Sequence, residues 1–227
     1  MVLQVLTTLA AGAVFGLALA APPGPMNAII AEESVLRGWG AGFKAGLGAM
    51  SADFCFFLFA LVGVVAIIDD LPVLRGVMVG VGGLLMLYFA YDAARDVQAT
   101  LAPEAEAAGQ SKGFRKAFVL ALTNPYQILF WLTVGVGLLE RGTHDLLAET
   151  PYAGEALAGT LVVQTGSAAL IVGLFGGIVV WIVGFPATLV AAGRRIEELT
   201  PVVAVASALV LGGFGVAFLY DAATTLL

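Results

Sequence analysis

Charge is what this sequence has least of. Asp, Glu, Lys and Arg make up 11% of its 227 residues, less than half the roughly one quarter found in soluble globular domains. Cysteine is nearly absent: Cys55 stands alone, which excludes an intramolecular disulfide, a cysteine metal cluster and a dithiol relay, and leaves the redox compartment unread. The one histidine, His144, is better read as a solvated loop residue than as a ligand. No serine, histidine and acid combination occurs inside an apolar run, and no metal-ligand spacing is present. The pairs Gly82-Gly83, Gly176-Gly177 and Gly212-Gly213 are not followed by Lys-Ser or Lys-Thr, so they read as packing positions and not as phosphate loops. Enzyme chemistry, a cofactor and a bound metal are therefore not expected. The net charge of −6 makes nucleic acid an unsuitable partner. The first basic residue is Arg37, so the start of the chain lacks the basic segment of a cleaved signal peptide despite its Ala18-Leu19-Ala20-Ala21, and no cleavage is expected.

What is present is apolar sequence, 60% of the chain, with a mean hydropathy of +1.01. Runs of about 20 uncharged residues, long enough to cross ~30 Å of hydrocarbon, recur along the whole length. They predict six membrane-spanning helices: about Leu3–Ala31, Ala45–Ile68, Val73–Tyr91, Ala117–Leu139, Leu161–Ala192 and Val202–Tyr220. The fold class expected is an all-α integral membrane domain over residues 1–227, with the lipid bilayer as its surroundings. The first and fifth spans are longer than a crossing requires, so they should tilt, protrude, or kink at Pro22–Pro25 and Pro186. The polar insert from Asp92 to Lys116, rich in Ala, Glu, Gly and Pro, reads as a flexible connector.

The two halves resemble each other. Phe89-Ala90-Tyr91-Asp92-Ala93-Ala94 closes the third span and Phe218-Leu219-Tyr220-Asp221-Ala222-Ala223 closes the sixth, and Pro72-Val73 and Pro201-Val202 open them at the same offset. Three spans per copy is an odd number, so the second copy must be inverted. Repeat 1 is expected at about 1–95, a cytoplasmic connector at 96–116 and repeat 2 at 117–227. Eight of the ten basic residues fall on one side: Arg37, Lys44, Arg95, Lys112, Arg115, Lys116, Arg194 and Arg195. By the positive-inside rule that side is cytoplasmic, and both termini lie outside the cytoplasm.

The first and fourth spans are each interrupted by proline. Ala21-Pro22-Pro23-Gly24-Pro25-Met26-Asn27 breaks the first, and Thr123-Asn124-Pro125 breaks the fourth. Proline removes a backbone donor and clashes with the preceding turn. The freed backbone groups are tolerated at membrane depth only inside protein or beside a wet cavity. Counted from the basic side at 1.5 Å per residue, both breaks lie roughly 10–14 Å in. Matched interruptions of this kind point to a substrate site in transporters. Half-helix ends offer N–H groups to an anion and carbonyls to a cation, so a zwitterion suits both. Pro23, Gly24, Pro25, Asn27, Asn124, Pro125 and Gln127 are the candidate substrate-binding residues. Asn27, Thr123, Asn124 and Gln127 serve equally well to bond the freed backbone.

Asp53 is the one charge between Lys44 and Asp69. Burying it in hydrocarbon costs at least about 2.5–3.5 kcal/mol, which makes it the candidate coupling or cation-binding residue. The alternative role is to bond backbone freed at Pro22–Pro25. Gly42, Ala45, Gly46, Gly48, Ala49 and Ala52 form a small-residue face beside it, suited to close helix approach. Trp131 and Trp181 read as core or lipid-facing, and Trp39 as an interfacial anchor.

These features together resemble the lysine-exporter superfamily of small translocators (LysE/RhtB type). The resemblance runs through Pro23-Gly24-Pro25 with Asn27, Gly42-Phe43-Lys44-Ala45-Gly46 leading to Asp53, and Gly113-Phe114-Arg115-Lys116-Ala117-Phe118 leading to Asn124-Pro125 and Phe130. It implies a cell-membrane exporter of amino acids or related small solutes, driven by a proton or ion gradient and not by nucleotide. A metal or inorganic cation exporter on the same scaffold is the alternative, and a homo-oligomer is left open. The chain departs from the family in its fifth span, where Gly176-Gly177-Ile178-Val179-Val180-Trp181 lacks the acidic residue often found there.

Overall fold

The computed structural model describes residues 2–62, 72–101, 112–145, 162–196 and 199–226. Along the chain run α1 (Val2–Ala20), α2 (Pro25–Arg37), α3 (Trp39–Leu61), α4 (Pro72–Leu101), α5 (Gly113–Leu122), α6 (Pro125–Phe130), a π-helical turn (Trp131–Gly135), α7 (Val136–Leu139), β1 (Gly142–Asp145), β2 (Val162–Thr165), α8 (Ala168–Gly193) and α9 (Leu199–Leu226). The architecture is helical, as an uncharged chain in hydrocarbon requires, since a helix satisfies its own backbone groups. Among the described residues, α1, α3, Gly76–Arg95 of α4, α8 and α9 are long and apolar enough to cross a membrane. Their outward side chains include Val14, Phe54, Leu84, Val180 and Leu209, all well exposed. A surface of that kind suits lipid better than water.

The chain forms two compact units, Met1–Ala21 with Thr133–Trp181, and Pro22–Leu132 with Ile182–Leu227. In the first unit, α1 runs alongside the start of α8. Gly12 faces Leu170 and Leu174, Gly16 faces Leu174 and Ile178, and Gly173 and Gly177 face Leu9 and Ala13. Residue numbers rise together on both helices, so the pair is parallel. At all four glycines a Cβ would collide with the neighbouring backbone, which is the close approach that small residues four apart allow.

Also in this unit, β1 and β2 pair antiparallel from Gly142↔Thr165 to Asp145↔Val162, and the Gln164 N–H donates to Thr8 Oγ1 at 3.2 Å. The fifth span, expected from Leu161, thus begins as a strand, and its helix starts at Ala168. Val162, Val163 and Thr165 are β-branched and favour the strand, and Gly166, with φ +66, makes the turn before the helix.

In the second unit α4 and α9 form the longest helix pair, α3 packs on α5 and α2, and α2 packs on α9. Ile29, Ile30, Val79, Met86, Leu120 and Leu211 meet in its core. The small-residue face of α3 lies against Ser34 at Gly42, Ile182 at Gly46 and the Phe114 carbonyl at Gly48. Because that last neighbour is backbone, it cannot swing aside. Gly48→Ala is expected to destabilise the protein by about 1–3 kcal/mol, read as a lower Tm in detergent. Gly40→Ala, with nothing within 4 Å, should leave Tm unchanged.

Other boundaries also differ from those read from hydropathy: α3 starts at Trp39, ahead of Ala45, and α9 runs to Leu226, past Tyr220. α2 continues through Glu32 and Glu33 to Arg37, and stops only at Gly38, whose φ is +86. α4 continues through Asp92 to Leu101, because nothing from Asp92 to Leu101 breaks a helix before Pro103. α5 starts at Gly113, ahead of the expected Ala117. The connector expected at 96–116 is therefore helical at both ends, and its residues 102–111 lie outside the described residues. α8 runs unbroken through Pro186.

Candidate functional site

The first break falls where the sequence puts it. α1 ends at Ala20, four bends follow, and Pro25 occupies the first turn of α2, where its missing N–H costs nothing. Asn27 Nδ2 donates to the Pro22 carbonyl at 2.8 Å, so this side chain does bond backbone freed by the prolines. Pro25 is buried, Pro23 is exposed and Gly24 is intermediate.

The second break ends α5 at Leu122. Thr123 Oγ1 donates to the Val119 and Leu120 carbonyls at 3.1 and 3.2 Å. The chain restarts as α6 at Pro125, with the Asn124 carbonyl accepting from the Gln127 and Ile128 N–H groups, both at 3.1 Å. Asn124 is itself buried. After six residues, α6 passes into the π-helical turn that begins at Trp131, an irregularity often associated with functional sites.

This restart aims two side chains at Asp53. Gln127 and Trp131 are four residues apart and so share a helical face. The Trp131 Nε1–H donates to Asp53 Oδ1 at 2.9 Å, and the Gln127 side chain hydrogen-bonds the same carboxylate. Asp53 is 5% exposed and Trp131 1%. Phe57, one turn beyond Asp53 on α3, meets the Trp131 ring edge-on with centroids 6.2 Å apart. The Gln127 Oε1 is buried and makes no hydrogen bond among the described residues. Asp53 and this amide oxygen thus present acceptors in a dry surrounding, an arrangement that suits a proton or another cationic donor. Of the two placements the sequence left for Trp131, core or lipid-facing, it takes the core, and its hydrogen bond to Asp53 is a role the sequence reading did not give it. The i, i+4 spacing of Gln127 and Trp131 was the signal available.

A second polar cluster went unrecognised in the sequence. Glu32 and Glu33 of α2 are each 1% exposed, although carboxylates after an apolar run read as loop. Lys116 of α5 pairs with Glu32 at 3.6 Å and with Asp92 of α4 at 2.6 Å, and Arg37 pairs with Glu33 at 3.5 Å. Gly113 lets α2 and α3 close on α5: a Cβ there would meet Glu33 and Ala45. Burial acts to lower the pKa of the Lys116 ammonium, but Glu32, Asp92 and Glu33 outweigh it and hold the pKa above its usual value. The cluster ties together the helices that carry both breaks, since α2 starts at the first and α5 ends at the second.

Comparison with known proteins matches residues 17–222 to the family described as LysE type translocator. The chain is 29% identical over 130 residues to a Bacillus subtilis (strain 168) protein whose name assigns it to amino acid efflux, covering 56% of this chain and 62% of that one. It is 31% identical over 123 residues to the leucine efflux protein of Salmonella typhimurium, covering 52% and 57%. The chain thus spans about three-fifths of the length of these relatives. No solved structure matches it. Transporters, not enzymes, make up the family, and the match covers most of this apolar, multi-pass membrane protein: the chain belongs to the LysE type translocator family.

Proposed function

We propose that this protein exports amino acids or related small solutes across the cell membrane, coupled to a proton or ion gradient, by alternating access around the two proline breaks. The observation that carries this reading is the buried Asp53 carboxylate held by Gln127 and Trp131, both supplied by the restart after Asn124-Pro125. In this reading Asp53 carries the proton or binds the cationic group. Pro23, Gly24, Pro25, Asn27, Asn124, Pro125 and Gln127 border the substrate, whose carboxylate and ammonium are met by half-helix N–H groups and carbonyls. The relatives named for amino acid and leucine efflux support that substrate class.

Six alternating crossings in two inverted repeats belong to the same proposal, with both termini outside the cytoplasm. Two helix pairs support it. Within one unit α1 and α8 run parallel, as first and fifth crossings must. Within the other α4 and α9 run antiparallel, as third and sixth must, with Gly76 against Leu226, Gly80 against Ala222 and Gly83 against Leu219. The match that lays Tyr91 on Tyr220 also lays Gly83 on Gly212 and Ala90 on Leu219. Gly83 meets Leu219 and Gly212 meets Ala90, so the match carries one contact into the other, as a two-fold axis between inverted copies does.

Uptake of a panel of labelled amino acids and divalent cations into proteoliposomes, with and without an imposed pH gradient, tests the function. Gradient-dependent uptake of an amino acid is expected. Transport of a cation with silence for every amino acid would favour the metal or inorganic cation exporter instead. Trp131→Phe keeps the ring and removes its N–H. A hydrogen bond to a charged group contributes about 1.5–3 kcal/mol, so coupled uptake by this variant should fall roughly ten- to hundredfold. Unchanged uptake would detach Trp131 from the site.

A further inference from the structure

The polar ends of α4 and α5 enclose a cavity of about 360 Å³ that the transport reading does not use. Its inner wall is apolar, made by Leu85 and Phe89 of α4 and Val119 of α5, and its back is the Lys116–Asp92 ion pair. Lys112 and Arg115 line it as well. Both are exposed, and among the described residues neither forms an ion pair, so they place two positive charges at its rim.

What fits a cavity with an apolar wall and a cationic rim depends on where it lies. Val77, Val81, Leu84 and Tyr88 are all exposed on α4, and their spacings of four, three and four residues put them in one stripe along the helix. That stripe ends in the cavity, since Tyr88 also lines it. One turn beyond, the Arg95 guanidinium lies over the exposed Tyr91 ring at 5.8 Å. Exposed tyrosines and a basic residue at the end of an apolar helix mark the level of lipid headgroups. A free anion has no use for the apolar wall, whereas a lipid uses both parts.

We propose that this cavity binds the headgroup of an anionic phospholipid, with Lys112 and Arg115 holding the phosphodiester and an acyl chain lying along the Val77, Val81, Leu84 and Tyr88 stripe. Basic pockets between membrane helices are suited to such headgroups. The proposal requires only that the chain is embedded in a bilayer and does not depend on what it transports.

Native mass spectrometry of the purified protein, titrated with phosphatidylglycerol or phosphatidylcholine, reads the site directly. Saturable binding of phosphatidylglycerol in preference to phosphatidylcholine is expected. Lys112→Ala with Arg115→Ala should weaken it about tenfold or more, given the contribution of each basic residue near an anionic headgroup. The charge-preserving pair Lys112→Arg with Arg115→Lys should keep it, and so should Arg194→Ala with Arg195→Ala, which removes two exposed charges elsewhere. Equal weakening by the two alanine pairs would mean diffuse surface attraction and overturn the proposal. So would equal binding of the two lipids, or displacement of phosphatidylglycerol by millimolar inorganic phosphate, which would make this a site for soluble anions.

Discussion

Vesicles containing Asp53→Asn should show gradient-driven amino acid uptake at least about a hundredfold below wild type, while the variant inserts and purifies as wild type does. Asparagine has the shape of aspartate, and its oxygen still accepts from Trp131 Nε1, so the contact between α3 and the π-helical turn survives. What it lacks is a charge that can be gained and lost. A residue buried to 5% exposure in a span otherwise free of charge is costly to keep, and its ionisation is the property that explains keeping it. Losing an interaction between a buried carboxylate and a cationic donor removes about 3 kcal/mol, which is roughly the hundredfold stated. Exchange of labelled for unlabelled amino acid at zero gradient, where no net proton movement is needed, should be affected much less if Asp53 carries the proton. Loss of both activities together would assign Asp53 to the substrate ammonium. Normal gradient-driven uptake would remove it from the mechanism.

The second large effect concerns Lys116. Lys116→Met takes the ammonium away from Glu32, which is 1% exposed, and from Asp92, whose side chain is 38% exposed. Asp92 can turn to water; Glu32 cannot. Removing one partner of a buried ion pair costs about 3–5 kcal/mol because the other charge stays desolvated. The variant should lose most of its folded yield, or show a sharply lower Tm in detergent. Adding Glu32→Gln removes the buried carboxylate that lost its ammonium and should restore most of the loss. A Lys116→Met protein as stable as wild type would show that the cluster contributes no stability. A double variant no better than the single one would place the damage elsewhere, for instance in the Lys116 contact with the Phe89 ring at 5.7 Å.

Both breaks were legible because clustered helix breakers stand out in an apolar run: Pro22-Pro23-Gly24-Pro25 and Asn124-Pro125 interrupt their helices, whereas the single Pro186 leaves its helix unbroken. Asp53 was legible for a similar reason, as the one charge in its span. Its partner was not. A tryptophan among apolar residues is equally at home in a core, and only packing brings Trp131 to a carboxylate 78 positions away. Glu32 and Glu33 misled in the opposite direction. Their charge suggested the end of a crossing, yet the helix lacks a stop until Gly38 and carries them to Lys116 and Arg37. The strand at Val162–Thr165 was hidden because four apolar or polar residues at the edge of a long hydrophobic run fit helix and strand equally. Local sequence therefore told where the backbone fails to be regular, while the pairings that follow from that failure needed the tertiary structure.

In the proposed mechanism substrate moves with an ion through the Asp53 site. The most direct measurement is proton flux itself: proteoliposomes loaded with a pH-sensitive dye, given an amino acid that the uptake panel identifies, with no gradient imposed at the start. Substrate addition should change the internal pH in wild-type vesicles and leave it flat with Asp53→Asn. Substrate transport with no pH change, and none with any monovalent cation varied across the membrane, would contradict the account and leave a facilitator in its place.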